Sequence, residues 1–207
     1  MFARLLALVC LLQFGLSTGR SEPALPADHE LVVYLRAGEF RASPSLPSMQ
    51  HEVNALMQAA GYRVDWRIAG ESSGDVEAEA LVVVELRGAC HAPDASEKIA
   101  PLPKDAALAS TPVSSGKVLP FSWVNCDNLT RLLGHAAAGP REDFLYGQAI
   151  GRLVAHELYH ILANQRHHAE SGIAKSAFSA RDLLAEQFKF ERTALASLRV
   201  RLAAPLP

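Results

Sequence analysis

One long helix-forming segment constrains the possible folds of this chain more than any other feature. Residues 140–164 contain no proline after Pro140, and their apolar side chains recur at the three- and four-residue spacing of an α-helix. Pro140 suits a first helical turn, and Glu142 and Asp143 would complement the positive end of the helix dipole. We therefore predict a long helix over this segment.

The same helix carries two histidines and a glutamate, in the order His156-Glu157-Leu158-Tyr159-His160. Two histidines four positions apart lie on one face of a helix, so both imidazoles can reach one metal ion. Glu157 projects beside them, where it could take a proton from a water molecule activated by the ion and pass it to a leaving group. The pattern predicts a zinc-hydrolase type of site, and a histidine pair packed in a core is the alternative.

A catalytic zinc ion usually takes three protein ligands and leaves one position open, so a third ligand is expected. Asn164 can end the helix in the left-handed conformation and reverse the chain, which would bring His167 or His168 back toward the ion. A carboxylate is the alternative third ligand, as in thermolysin-type hydrolases. Asp182 and Glu186 are the candidates, because they lie four residues apart on a second predicted helix.

Residues 150–175 resemble the metzincin-like zinc metallopeptidases. The closer similarity is to small secreted bacterial proteins that carry His-Glu-x-x-His-x-x-x-Gly-x-x-x-His followed by Gly-Ile-Met-Arg. Asn164 takes the place of the glycine in this pattern, and residues 172–175 fall on the Gly-Ile-Met-Arg stretch. The resemblance implies a Zn²⁺ ion held by His156, His160 and His168, with Glu157 as the general base.

Besides Asn164, two residues and one absence depart from the metzincin pattern. Arg166 stands where the standard spacing puts the third histidine, a difference that the bacterial subgroup shares. Ala174 replaces the methionine expected beneath the metal, and no tyrosine follows Tyr159 to stabilise an oxyanion. We expect a zinc metallopeptidase that acts on a peptide or protein substrate. The alternative is a zincin-fold periplasmic metal-binding or interaction protein with little or no catalysis.

The N-terminal residues have the pattern of a secretory signal peptide. Arg4 gives a positive start, a largely apolar run extends from Leu5 to Leu16, and small residues follow as far as Gly19. The run is too short for a stable membrane span. We predict a signal peptide over residues 1–21, with an approximate cleavage site, and an exported protein that is periplasmic or extracellular.

Export would leave Cys90 and Cys126 as a pair, since Cys10 lies within the predicted signal peptide. Two cysteines in an oxidising compartment most often form a disulfide. Each follows a strand-like run, residues 81–86 and residues 118–124, so adjacent strands would bring the two cysteines together. We predict a Cys90–Cys126 disulfide, with free thiols or a thiolate metal ligand as the alternatives.

Residues 22–207 are expected to form one domain, because about 185 residues is a usual single-domain length. Forty-nine per cent hydrophobic residues supply a core, and a net charge of −2 gives no indication of nucleic-acid binding. The strand–helix–strand order near the start favours a right-handed crossover and partly parallel pairing. Together with the resemblance, this order predicts an α+β, zincin-like fold: a twisted mixed sheet backed by helices, with the HExxH helix under the cleft.

The remaining predictions concern the bounds of single elements. Residues 87–117 are rich in Pro, Ala and Ser and are expected to be a loop or flap. Gly147 and Gly151 indicate a close approach of another element to the long helix. The predicted elements are strands over 31–35, 62–68, 81–86 and 118–124, a helix over 47–60, a short helix capped by Asp127 and ended by Gly134, the long helix over 140–164, and a last helix over 180–203 capped by Ser179 with Asp182.

Overall fold

The computed structural model describes residues 29–71, 79–94 and 96–202. The predicted signal peptide lies outside these residues. The helices of this part of the chain are α1 (Leu46–Ala59), α2 (Cys126–Leu133), α3 (Glu142–Ala163), α4 (Ala180–Leu184) and α5 (Arg192–Leu202). The strands are β1 (His29–Arg36), β2 (Tyr62–Ile68), β3 (Ala80–Arg87), β4 (Ala109–Ser110), β5 (Val113–Ser114), β6 (Lys117–Val118) and β7 (Phe121–Asn125).

A five-stranded mixed sheet organises the fold, in the order β2-β1-β3-β7-β4. The first four strands pair in parallel, and β4 pairs antiparallel with β7 at the edge. Strand β1 is buried on both faces, since the consecutive Leu31, Val32 and Val33 are at most 1% exposed. The predicted combination of a mixed sheet with backing helices is confirmed.

Helix α3 packs closely against α1. The two glycines on α3 make this approach possible. A Cβ atom at Gly147 would overlap the carbonyl oxygen of Ser45, and one at Gly151 would lie 2.8 Å from the carbonyl oxygen of Met49. The predicted close approach at both glycines is confirmed.

Among the described residues, no helix is long and apolar enough to cross a membrane.

The segment predicted as a loop over residues 87–117 contains short strands. Strand β4 lies within it and forms the edge of the sheet, and β5 pairs with β6 in a small hairpin. The strand predicted over residues 118–124 is divided between β6 and β7 at Pro120. Proline has no N–H to donate, and the Pro120 carbonyl instead accepts a bond from the Val83 N–H, 3.0 Å away.

Two further predictions are wrong: the residue that caps α2, and the extent of the last helix. The cap of α2 is Asn125, whose side-chain oxygen accepts a bond from the Asn128 N–H at 2.9 Å. Asp127 lies inside the helix, and its carboxylate accepts a bond from the Ala89 N–H at 2.8 Å. At the other end of α2, Gly134 caps the helix, as predicted.

The last predicted helix, over residues 180–203, is interrupted between α4 and α5. Ser179 and Asp182 form the predicted capping box at its start. The side chain of Arg152 then donates to the carbonyl oxygens of Asp182 and Leu183, at 3.0 and 2.9 Å. Those carbonyls would otherwise accept from the next helical turn, so the buried guanidinium terminates α4.

Candidate metal centre

The end of α3 reverses the chain directly after its second histidine. Asn164 is in the left-handed conformation, with φ 48° and ψ 44°, as predicted for this position. The Gln165 N–H donates to the His160 carbonyl oxygen at 3.1 Å. The residues that follow therefore fold back along the last turn of the helix.

This reversal brings three histidines together. The side chains of His156, His160 and His168 each offer a nitrogen, and these atoms all lie within 4.8 Å of one another. The Nε2 atoms of His156 and His160 are 3.1 Å apart. The His168 ring stacks on His156 and meets His160 edge-on, with centroid distances of 5.3 and 4.8 Å.

Hydrogen bonds fix which nitrogen of each helix histidine carries the proton. His156 Nδ1 lies 2.7 Å from the carbonyl oxygen of Ile173, and His160 Nδ1 lies 2.7 Å from that of Gln165. A carbonyl oxygen can only accept, so each Nδ1 is the donor and each Nε2 of the neutral ring presents a lone pair. Two facing lone pairs cannot bond to each other.

A cation between these atoms would resolve that conflict. Tetrahedral zinc with Zn–N bonds near 2.0–2.1 Å places its ligand nitrogens about 3.3 Å apart, close to the 3.1 Å between the two Nε2 atoms. Burial lowers the pKa of His156 to about 3, and burial also lowers the pKa of His160 and of His168. The three rings are therefore neutral near pH 7, which is the form that binds a metal.

The structure places the other ligand candidates elsewhere. His167 is exposed and does not join the cluster of imidazoles. The Asp182 carboxylate accepts from the Lys175 ammonium at 2.8 Å and from the Ser179 N–H at 2.7 Å. Burial opposes ionisation of Asp182, but these bonds hold its pKa at about 2. Glu186 lines a separate cavity together with Glu52 and Arg152.

Glu157 lies beside the cluster and is only 3% exposed. Burial raises the pKa of its carboxyl group to about 7, against the effect of one hydrogen bond. That bond comes from the Thr111 hydroxyl, which donates to Glu157 Oε2 at 2.6 Å. The sequence did not indicate Thr111, because the pairing of β4 with β7 places it and two-residue strands leave no periodic pattern.

An aromatic ring packs against the histidine cluster. Ala174 is fully buried in the position expected for a methionine. The Phe178 ring meets the His156 imidazole edge-on, with centroids 5.2 Å apart and planes at 84°. Phe178 thus supplies an apolar contact that the sequence did not indicate, since it lies ten residues beyond His168 outside the motif.

The cluster opens into a cleft of about 570 Å³. One wall is the segment that leads into and out of β4, and the floor is α3 with the loop that follows it. Besides the three histidines, the ionisable side chains that line the described cleft are Glu157, Lys104 and Arg166.

The predicted disulfide is present. Cys90 follows β3, Cys126 begins α2, and the bond joins them with a Cα–Cα distance of 4.9 Å. The covalent loop between them, residues 90–126, includes the β4 wall of the cleft. The histidine cluster and Glu157 lie outside this loop.

Three features together define a zincin-like fold. They are the mixed sheet with an antiparallel edge strand, the long motif helix beneath the cleft, and the reversal of the chain after that helix. The crystal structure of archaemetzincin from Methanopyrus kandleri is similar to this chain, with a TM-score of 0.51 and 11% sequence identity. The alignment covers 86% of this chain and 97% of the archaemetzincin chain. At this identity the likeness establishes the fold, and the predicted zincin-like class is confirmed.

Comparison at the level of sequence finds no relative. No protein-family model matches the chain, and no curated protein sequence matches it either. The functional interpretation therefore depends on the geometry of the site together with the fold.

Proposed function

We propose that this protein is a zinc-dependent metallopeptidase. The observation that carries the proposal is the pair of helix histidines whose Nδ1 atoms are committed to carbonyl oxygens and whose Nε2 atoms face each other at 3.1 Å. His168 completes a set of three imidazoles in a cleft large enough to admit a peptide. We assign His156, His160 and His168 as the zinc ligands.

A zinc ion held by these imidazoles would polarise a scissile carbonyl and lower the pKa of a water molecule toward ~7. Glu157 would act as the general base and accept the proton of that water. A carboxyl group with a pKa of about 7 is suited to give the proton later to the departing amine. Thr111 holds one carboxylate oxygen, so the other is left for proton transfer.

One observation favours a second candidate function. No tyrosine lines the part of the cleft that the structure describes. A zincin-fold protein that binds metal or a partner without efficient hydrolysis would have this arrangement. The buried carboxyl of Glu157 favours the peptidase, because a metal-binding role does not require it.

We also propose that the protein is exported and acts in the periplasm or outside the cell. Residues 1–21 would be removed as a signal peptide, and residues 22–207 would form one exported domain. The Cys90–Cys126 disulfide supports this location, because such bonds persist in oxidising compartments. N-terminal sequencing of the protein recovered from the periplasm or medium tests the cleavage.

The decisive experiment compares Glu157→Gln with the parent protein and with Glu186→Gln as a matched control. All three proteins should hold close to one zinc per chain by elemental analysis, since Glu157 is not a proposed ligand. Hydrolysis of a broad peptide library should fall by ~10²–10⁴-fold in Glu157→Gln alone, the usual effect of losing a general base. A chelator should abolish activity of the parent, and zinc should restore it.

Two results would change the assignment. A parent that holds zinc but shows no chelator-sensitive hydrolysis would support the metal-binding alternative. Full zinc content in the His156→Ala/His160→Ala double variant would rule out the assignment of these histidines as zinc ligands.

A further inference from the structure

We propose that the cleft selects peptides with an acidic side chain close to the bond they present to the metal centre; this inference rests on the proposed function of the cleft as a peptide-binding site. Lys104 and Arg166 line the cleft, and neither forms an ion pair with another described residue. Two cations without an ion-pair partner among the described residues therefore line the space that a substrate would occupy.

Basic side chains outnumber acidic ones in the described cleft lining. Glu157 is its single acidic residue among those described, and it lies buried on the floor beside the histidines. Asp105 and Glu170 are the acids closest in sequence to the two cations, and neither lines the cleft. A bound divalent metal ion would add further positive charge. A cleft lined by one sign of charge attracts ligands of the opposite sign.

The loop that carries Arg166 is held next to the metal centre. Gln165 bonds to His160 twice, through its N–H to the helix carbonyl at 3.1 Å and through its own carbonyl to Nδ1 at 2.7 Å. On the other side, the Ala169 N–H donates to the Ala174 carbonyl at 2.8 Å. Arg166 therefore stays near the ligands, and its planar guanidinium suits the two oxygens of a carboxylate.

Lys104 belongs to the wall formed by the segment before β4. That segment is held at the start of α2, because the Asn125 N–H donates to the Leu108 carbonyl at 2.8 Å and the Asn128 side-chain Nδ2 donates to the Ala107 carbonyl at 2.9 Å. The two cations thus line the cleft from different segments of the chain, and hydrogen bonds of neighbouring residues hold each segment in place. A peptide lying in the cleft would pass between or beside them.

The test measures binding without turnover. Zinc-loaded Glu157→Gln protein is titrated with fluorescent peptides of one length that differ at a single central residue, Glu, Gln or Lys. We expect the Glu peptide to bind roughly 3–10-fold more tightly than the Gln peptide at low salt, with the Lys peptide weakest, because exposed charges contribute modestly and are screened by salt. The preference should shrink as the salt concentration rises.

Charge variants assign the preference to the two residues. Adding Arg166→Ala or Lys104→Ala to the same protein should reduce the affinity for the Glu peptide several-fold and that for the Gln peptide far less. Arg192→Ala removes an exposed positive charge on α5, outside the cleft lining, and serves as the matched control. It should leave the ranking of the three peptides unchanged.

Equal affinities for the three peptides, or no measurable binding of any of them, would overturn the inference. So would an Arg166→Ala effect of equal size on the Glu and Gln peptides, since that would indicate a role independent of substrate charge. Because binding is read in a protein that does not need to turn over, an acidic preference would stand even if the parent hydrolysed no peptide. That last result would instead count against the peptidase assignment.

Discussion

At the scale of single residues, the site depends on hydrogen bonds made behind the groups that do the chemistry. The carbonyl oxygens of Ile173 and Gln165 fix the tautomers of the two helix histidines. The Thr111 hydroxyl fixes one oxygen of Glu157. These partners lie outside the HExxH motif, so the motif alone does not account for the orientation of its side chains.

Thr111 should affect catalysis through Glu157. Thr111→Val removes the hydroxyl with little change in volume, and we expect kcat to fall by about tenfold, because an unanchored base loses alignment. Thr111→Ser retains the hydroxyl and should recover most of the activity. Zinc content and the melting temperature serve as controls and should stay close to those of the parent. A valine variant with parental kcat and an unchanged pH profile would show that the contact does not position the base.

The ion pair between Lys175 and Asp182 predicts a pH-dependent contribution to stability. The folded pKa of Asp182, about 2, is below its ordinary value of 3.8. The contribution is therefore fully present above about pH 4 and is lost as the pH falls through 2. Because both side chains are about a quarter exposed, we expect Asp182→Asn to lower the free energy of unfolding at pH 7 by only about 0.5–1 kcal/mol.

Chemical denaturation between pH 2 and pH 7 measures this effect. The Asp182→Asn variant should show a flatter pH dependence below pH 4 than the parent. Lys175→Met, which removes the other partner, should give a smaller change in the same direction, because the bonds from Ser179 to Asp182 remain. Parental acid sensitivity in both variants would argue that the pair makes no net contribution.

At the scale of elements, α3 is the helix on which the other parts of the molecule converge. It contacts α1, α4, α5, β4 and β7. Its glycines admit α1, its histidines face the cleft, and Arg152 joins α1 to α4 through Glu52 and two backbone carbonyls. One helix therefore sets both the packing of the domain and the geometry of the metal centre.

Arg152 should be important for stability because it is 1% exposed and its guanidinium bonds to Glu52 at 2.7 Å. Arg152→Met would leave the Glu52 carboxylate and the carbonyls of Asp182 and Leu183 without this donor. We expect the free energy of unfolding to fall by about 3–4 kcal/mol, in the range for breaking a buried pair from one side. Urea denaturation gives the value.

The double variant Arg152→Met/Glu52→Leu serves as the comparison. It removes the unpaired carboxylate and should regain part of the lost stability, while the carbonyls of α4 remain without a donor. This account of the pair would be contradicted if the double variant lost more free energy of unfolding than the two single variants lose together.

At the scale of the whole molecule, local sequence patterns predicted the elements that pack along their full length. Strand β1 contains a continuous apolar run, and the helices α1 and α3 each extend over more than two turns. Segments of this length carry enough apolar positions for the pattern to identify the element. The spacing of His156 and His160 predicted that these two imidazoles meet, and the turn at Asn164 predicted the return of His167 or His168, of which the resemblance implied His168. These features depend on residues close together in the sequence.

The features that the sequence did not predict depend on distant partners. Strand β4 has two residues and exists because it pairs with β7. Helix α4 stops because Arg152, about thirty residues earlier, takes its terminal carbonyls. Thr111 reaches Glu157 only when the edge of the sheet is in place. Contacts of this kind are set by tertiary packing, which a short pattern cannot encode.

The disulfide closes a loop that contains one wall of the cleft and none of the proposed metal-binding residues. The cysteines are 36 residues apart, so the bond should stabilise the fold by about 3–4 kcal/mol in the chain-entropy model. Cys90→Ser/Cys126→Ser should lose about that much in denaturant titrations. The three histidines and Glu157 lie outside the closed loop, so zinc content should remain near that of the parent under native conditions. Lys104 and Thr111 lie inside it, so peptide affinity and kcat should fall first as the temperature is raised. A variant that loses zinc before it loses peptide binding would show that the loop supports the metal centre rather than the cleft wall.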